Sequence, residues 1–160
     1  MSDVFQDHYP DDVARCYGCG HSNDHGLHIK SRWDGDEAVC AFRPQAYHTS
    51  FRGYVYGGLI ASLIDCHSVG TAAAAWMRAR GVEIGEAPTV RFVTASLQVD
   101  YLRPTPIGGT LTVRARAVEV GERKVVVRSE VRSDDLVTAR GQVVAVRMPE
   151  HLVVVEPRST

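Results

Sequence analysis

The feature that most limits the fold is one uninterrupted helical stretch over 57–80, opened by the pair Gly57-Gly58 and stopped by Gly81. Leu59, Ile60, Leu63, Ile64 and His67 follow the 3, 4, 7, 8 spacing of a single buried stripe. Farther along, Gly70 and the run from Thr71 to Ala75 keep the helix slim enough for close packing. At 1.5 Å per residue it is about 36 Å long. A helix this long and apolar must be buried against something, and the rest of the chain has to supply the cover.

That rest reads with the period of strands. Two short strands are expected over 27–33 and 38–43, with the hairpin signal Asp34-Gly35 between them. Residues 44–55 form a loop rich in aromatic and polar side chains, and 82–90 form another. Leu97, Val99 and Tyr101 then alternate with Gln98, Asp100 and Leu102 as far as Arg103-Pro104. Leu111, Val113, Ala115 and Ala117 alternate with Thr110, Thr112, Arg114 and Arg116. Val125, Val127 and Val131 precede a last strand over 137–145, with a bulge expected near Gly141. The breaks at Gly121-Glu122 and Ser133-Asp134-Asp135 have the length of hairpin loops, so these three strands form an antiparallel meander. The economical architecture is α+β: a curved antiparallel sheet of five to six strands wrapped around one long central helix.

Length and composition fit one compact domain. The chain has 160 residues, 44% of them hydrophobic and 23% charged. It divides into an irregular, polar arm over 1–26, a domain over 27–150 and a tail over 151–160. The net charge of −1 gives no electrostatic case for nucleic acid or an anionic membrane. No apolar run reaches the roughly 20 residues of a membrane helix. The acidic start, Met1-Ser2-Asp3-Val4-Phe5-Gln6-Asp7, lacks the apolar region of a secretion signal, so a cytoplasmic location is expected. Four cysteines (Cys16, Cys19, Cys40, Cys66) are then expected reduced, with Cys40 and Cys66 as small buried thiols.

The chemistry concentrates on the helix. A glycine pair at a helix start leaves backbone N–H groups unpaired and unshielded, at the positive end of the helix dipole. Such donors suit an oxygen that gains negative charge. Asp65 is the only acid between Arg43 and Glu83, set among leucines and isoleucines. A carboxylate there suits a general base or nucleophile. Gly57 and Asp65 fall within roughly 80° of each other around the axis but about 12 Å apart along it. One carbonyl carbon cannot lie within about 3 Å of both. If both act on one bond, they come from different copies of the helix, packed antiparallel across a two-fold axis with two equal sites per dimer.

Three stretches carry a resemblance. Cys16-Tyr17-Gly18-Cys19-Gly20 with Asn23 and Gly26-Leu27, then Gly53-Tyr54-Val55-Tyr56-Gly57-Gly58 with Leu63-Ile64-Asp65, then Leu97 through Pro104 followed by Gly108-Gly109, together resemble the hotdog-fold acyl-CoA thioesterases of the phenylacetate-degradation (PaaI-like) type. The resemblance spans about residues 16–148. It implies hydrolysis of an acyl- or aroyl-CoA thioester without metal or cofactor, by a homodimer or a dimer of dimers. By position, it gives Gly57 the N–H that polarises the thioester carbonyl and Asp65 of the facing subunit the role of general base or nucleophile. Thr94 takes the place of a hydroxyl that positions the attacking water, with Gly58 and Ser50 lining the pocket. The usual histidine before the glycine pair is here Tyr56, which donates a hydrogen bond through its hydroxyl but is no base near neutral pH. That swap motivates an alternative of another class, an acyl-thioester binding protein that does not hydrolyse.

Three further groupings carry less. Cys66-His67 is no dyad, because adjacent helix positions diverge by about 100°. Cys16-x-x-Cys19 with His21, His25 and His28 is a candidate zinc knuckle, but a second C-x-x-C or a spaced His pair downstream is lacking, and the resemblance implies a flap without metal. The arginines at 103, 114, 116, 123, 128 and 132 belong to a solvated sheet face, with Arg103 the one expected to hold CoA phosphate.

Overall fold

The structure, a computed structural model, describes residues 3–149 and 151–152. The tail expected over 151–160 therefore lies, from residue 153 on, outside the described residues. Helix α1 (Gly57–Arg78) is 22 residues long and packs on a six-stranded sheet. The strands are β1 (Ser31–Asp34), β2 (Glu37–Phe42), β3 (Phe92–Tyr101), β4 (Leu111–Val120), β5 (Lys124–Ser133) and β6 (Leu136–Arg147). Their order across the sheet is β1-β2-β4-β5-β6-β3, and every neighbouring pair is antiparallel. The expected meander is β4-β5-β6.

α1 ends where the glycine says it should. Gly81 has φ +75°, and the N–H groups of Gly81 and Val82 donate to the carbonyls of Arg78 (3.0 Å) and Met77 (3.1 Å). That left-handed cap satisfies two of the helix's orphan carbonyls. Leu63, Ile64, Leu111, Val113, Val125, Val127, Val131 and Val143 are fully buried between helix and sheet. Each such side chain contributes about 1.5–3 kcal/mol. By length and composition α1 is long enough to cross a membrane, which the expectation from apolar runs did not allow for; 67% of that stretch is buried, as in a core helix.

Three expectations need correction. The first strand begins at Ser31 rather than 27, because Leu27 and Ile29 donate instead to the carbonyls of Tyr17 and Gly18 (2.8 and 3.0 Å). The third begins earlier than 97, at Phe92, and its uneven start hides it from an alternation test. The register runs unbroken through Gly141, opposite Ser129 and Val99, and the irregularities lie at Thr94/Ser96, Ala117/Glu119 and Val131/Arg132. Gly141 marks close approach rather than a bulge: a Cβ there would sit 2.3 Å from Ile64 Cγ2.

The polar arm, finally, is irregular but not detached. Phe5 and Gln6, in a short 3-10 turn (Phe5–His8), are buried with Ala14. Phe5 meets the Trp33 ring edge-on at 5.2 Å, and Gly70 is bare because a Cβ would lie 3.0 Å from the Tyr9 hydroxyl. The outer sheet face carries the arginines as expected, most of them paired: Arg114 with Asp34 and Glu37, Arg132 and Arg140 with Glu130.

Candidate active site

The start of α1 is bare in the way the glycine pair implies. Tyr56 occupies the cap position with extended backbone (φ −60°, ψ 128°), makes no side-chain cap, and no acid lies in the first turn. Among the described residues the N–H groups of Gly57 and Gly58 have no hydrogen-bond partner, so two unpaired donors stand at the positive end of the helix dipole. A Cβ on Gly58 would fall 2.4 Å from the Tyr56 ring, which lies across that glycine.

Strand β3 fixes this end of the helix. Tyr101, at its last position, donates its hydroxyl to the Gly57 carbonyl at 2.7 Å, and its ring faces the Gly57 Cα. Burial, and then the neighbouring Tyr56, raise the Tyr101 phenol above its ordinary pKa, which keeps it a donor. The loops on either side of the helix start are stitched together. Val55 donates to Thr105 (2.9 Å) and Ile107 to Gly53 (2.9 Å). Ser50 lies in that first loop, its N–H donating to the Tyr54 carbonyl at 3.2 Å. Arg103 lies at the second, exposed, with no side-chain partner among the described residues. Tyr47, Phe51, Tyr54 and Tyr56 give this mouth an exposed aromatic rim.

Two turns farther on, Asp65 is half-buried on the same side of α1. Thr94 Oγ1 on β3 donates to its Oδ1 at 2.5 Å. The register shift between Thr94 and Ser96 falls at this point of β3. The chain thus brings Asp65 to Thr94, and Gly57 and Gly58 to Tyr56 and Tyr101. It does not bring the two groups together, since the helix rise keeps them about 12 Å apart.

Between Gly58 and Asp65 this side of the helix is small and half-exposed, with Ala61 and Ser62. The three residues Asp65, Cys66 and His67 face three surroundings. Asp65 meets β3; Cys66 Sγ lies 3.8 Å from Cys16 Sγ; His67 is fully buried between Ser31 Oγ (2.8 Å) and the Ala38 carbonyl (3.2 Å). A Cys66–His67 dyad is accordingly absent.

Sequence reasoning missed two residues here. Tyr101 was read only as part of an apolar alternation; the signal for it was a tyrosine ending a strand just before Arg103-Pro104. Cys66 was read as a plain buried thiol, and nothing local connects it to the distant Cys16 and Cys19.

The chain is similar to known proteins over this region. The profile of the thioesterase superfamily matches residues 52–140. An acyl-coenzyme A thioesterase of Xenopus laevis is 33% identical over 97 residues, covering 61% of this chain and 38% of that protein; this chain thus spans well under half of that relative. A thioesterase superfamily protein from Shewanella loihica has 44% identity and a TM-score of 0.65, covering 81% of this chain and 98% of that one. The PaaI protein of the E. coli phenylacetic acid degradation operon shares the fold, with TM-score 0.62 at 21% identity over 77% of this chain and 81% of that one. The sheet-wrapped helix is the hotdog fold of these proteins.

Proposed function

The chain belongs to the thioesterase superfamily, and we propose that it hydrolyses the thioester bond of an acyl- or aroyl-CoA at a site built from two copies of the chain. The observation that carries this reading is the separation just described. A helix start with free N–H donors and a carboxylate held by a hydroxyl are both present, on one face, too far apart to share a carbonyl. A second helix packed antiparallel along that face sets the start of one beside the middle of the other.

β3 supports the pairing. It is a ten-residue strand that, among the described residues, is bonded only to β6, and it carries exposed Val93, Leu97 and Tyr101. A long, apolar, unpaired edge is an association surface.

In this site the Gly57 N–H of one copy receives the thioester oxygen as it becomes an oxyanion. Asp65 of the other copy takes a proton from water, whose oxygen attacks the carbonyl carbon; the carbon–sulfur bond then breaks and the thiol leaves with a proton. Thr94 holds the Asp65 carboxylate by donating to one oxygen, leaving the other to face water. Tyr56 and the aromatic rim suit a flat or apolar acyl group, and unpaired Arg103 suits a CoA phosphate.

Thiol release over a panel of acyl- and aroyl-CoAs tests the reading. The wild type should turn over at least one, and Asp65→Asn should lose roughly 10²–10⁴-fold in rate with the fold intact. Equal release by both proteins would remove Asp65 from the chemistry. Tight binding without turnover by the wild type would replace hydrolysis with thioester binding.

A further inference from the structure

The N-terminal arm is pinned to α1 by sulfur. Cys16, Cys19 and Cys66 place their Sγ atoms within 4.8 Å of one another, two from the Cys16-Tyr17-Gly18-Cys19 turn and one from the helix. Cys16 Sγ and Cys66 Sγ are 3.8 Å apart. Thiolates around a tetrahedral ion with metal–sulfur bonds of about 2.3 Å stand about 3.8 Å from one another. A disulfide, by contrast, needs about 2.05 Å.

The turn is shaped around the third sulfur. Gly18 passes so close to Cys66 that a Cβ would lie 2.1 Å from its Sγ, and Gly20 has no room for one beside the Ala14 carbonyl (2.2 Å). Both glycines of the motif are thus required by the knuckle itself.

We propose that Cys16, Cys19 and Cys66 form a thiolate site for a zinc-class cation that ties the N-terminal arm to the helix carrying Asp65. Three sulfurs select a soft or borderline ion. Cys16 is half-exposed, so the fourth position is open to water.

Tyr9, half-buried, packs beside the cluster and its hydroxyl supplies a hydrogen bond to Cys19. That is an outer-shell donor to a ligating sulfur. Binding forms three metal–sulfur bonds and releases the remaining thiol protons to solvent. The site is independent of the thioesterase reading.

Cobalt(II) added to reduced, chelator-treated full-length protein is the probe. One equivalent per chain should give a sulfur-to-cobalt charge-transfer band with the visible bands of tetrahedral coordination, and zinc should displace it. Cys66→Ser should weaken binding by more than the roughly 10–100-fold that loss of an outer-shell partner costs. Cys40→Ser, outside the cluster, should leave it unchanged. Because a cysteine variant can misfold, the wild type supplies a second readout: zinc loading should protect Cys16 and Cys66 from alkylation. No charge-transfer band at stoichiometric cobalt would overturn the proposal, as would binding by folded Cys66→Ser equal to wild type. Undiminished alkylation of zinc-loaded protein would do the same.

Discussion

The edge of the sheet at β1 is four residues long and covered; the edge at β3 is ten residues long and open. At β1 the arm closes the molecule with its own atoms. Gln6 Oε1 accepts from the Ser31 N–H (2.7 Å), its Nε2 donates to Ser31 Oγ (3.0 Å), and Ser31 Oγ meets His67 Nδ1 (2.8 Å). The Ala38 carbonyl accepts from His67 Nε2, which fixes the neutral tautomer and leaves Nδ1 to accept from Ser31. At β3 none of the described residues plays that part, and Asp65 with Thr94 lies on that side. The same helix therefore has one flank finished by its own arm and one flank, with Asp65 and Thr94, that the described residues leave without a cover. A chain stabilises what it buries alone, and the proposed site stands on the flank that it does not.

Charging the open edge should have the largest effect. Leu97→Lys places an ammonium on the exposed apolar row of β3. It should yield a monomer by light scattering whose thioester hydrolysis falls by roughly the 10²–10⁴-fold expected on losing Asp65 itself. A fully active monomer would mean that the open flank needs no partner.

Cutting the closed flank should do the reverse. Gln6→Ala leaves the buried Ser31 N–H without its acceptor and should cost about 1–3 kcal/mol of stability in denaturant titrations. Its kcat/KM should stay at the wild-type level, and a large loss of kcat/KM would erase the contrast between the two flanks.

The closed flank also has an acid limit. Burial lowers His67 from its ordinary value to about 4, so the folded chain holds it neutral while the unfolded chain protonates it near 6.5. Between those values the unfolded state binds the extra proton, so stability falls as pH drops from about 6.5 to about 4 and then levels off. The full loss is about 3 kcal/mol. Denaturation midpoints against pH should show that slope in the wild type and lose it in His67→Gln.

The smallest expected change is at Thr94. Thr94→Val removes the donor to Asp65 without altering size, and should lower kcat by roughly tenfold, about 1.4 kcal/mol, with the dimer intact. An unchanged kcat would free Asp65 from β3.

Much of this was legible in the sequence because it is periodic. The buried stripe from Leu59 to His67 and the alternations of β4 and β5 repeat locally, and burial on one face is enough to produce them. Gly57, Gly58 and Asp65 could be singled out because bare donors and a lone acid stand apart from an apolar background. Thr94 came only through family resemblance, since one hydroxyl in a strand has no local mark. Tyr101 and Leu97 were legible as inward-facing but not as exposed, because exposure there depends on β3 lying at an edge, a matter of strand order. Gln6, Tyr9 and Cys66 were not legible at all. Their partners lie tens of residues away, and no period connects an irregular arm to a helix.

The shared site is the central claim, and complementation tests it most directly. Gly57→Pro removes the N–H donor while keeping the helix, because proline is tolerated at the first helical position and Tyr56, at ψ 128°, already has the backbone a following proline requires. Alone it should lose roughly 10²–10³-fold in rate, and Asp65→Asn alone should be as poor or poorer. Mixed in equal amounts and allowed to exchange subunits, the two inactive proteins should recover about a quarter of wild-type activity, since half the dimers are mixed and each holds one complete site. Recovery no greater than the sum of the two separate variants would place the whole site in one chain and contradict the account.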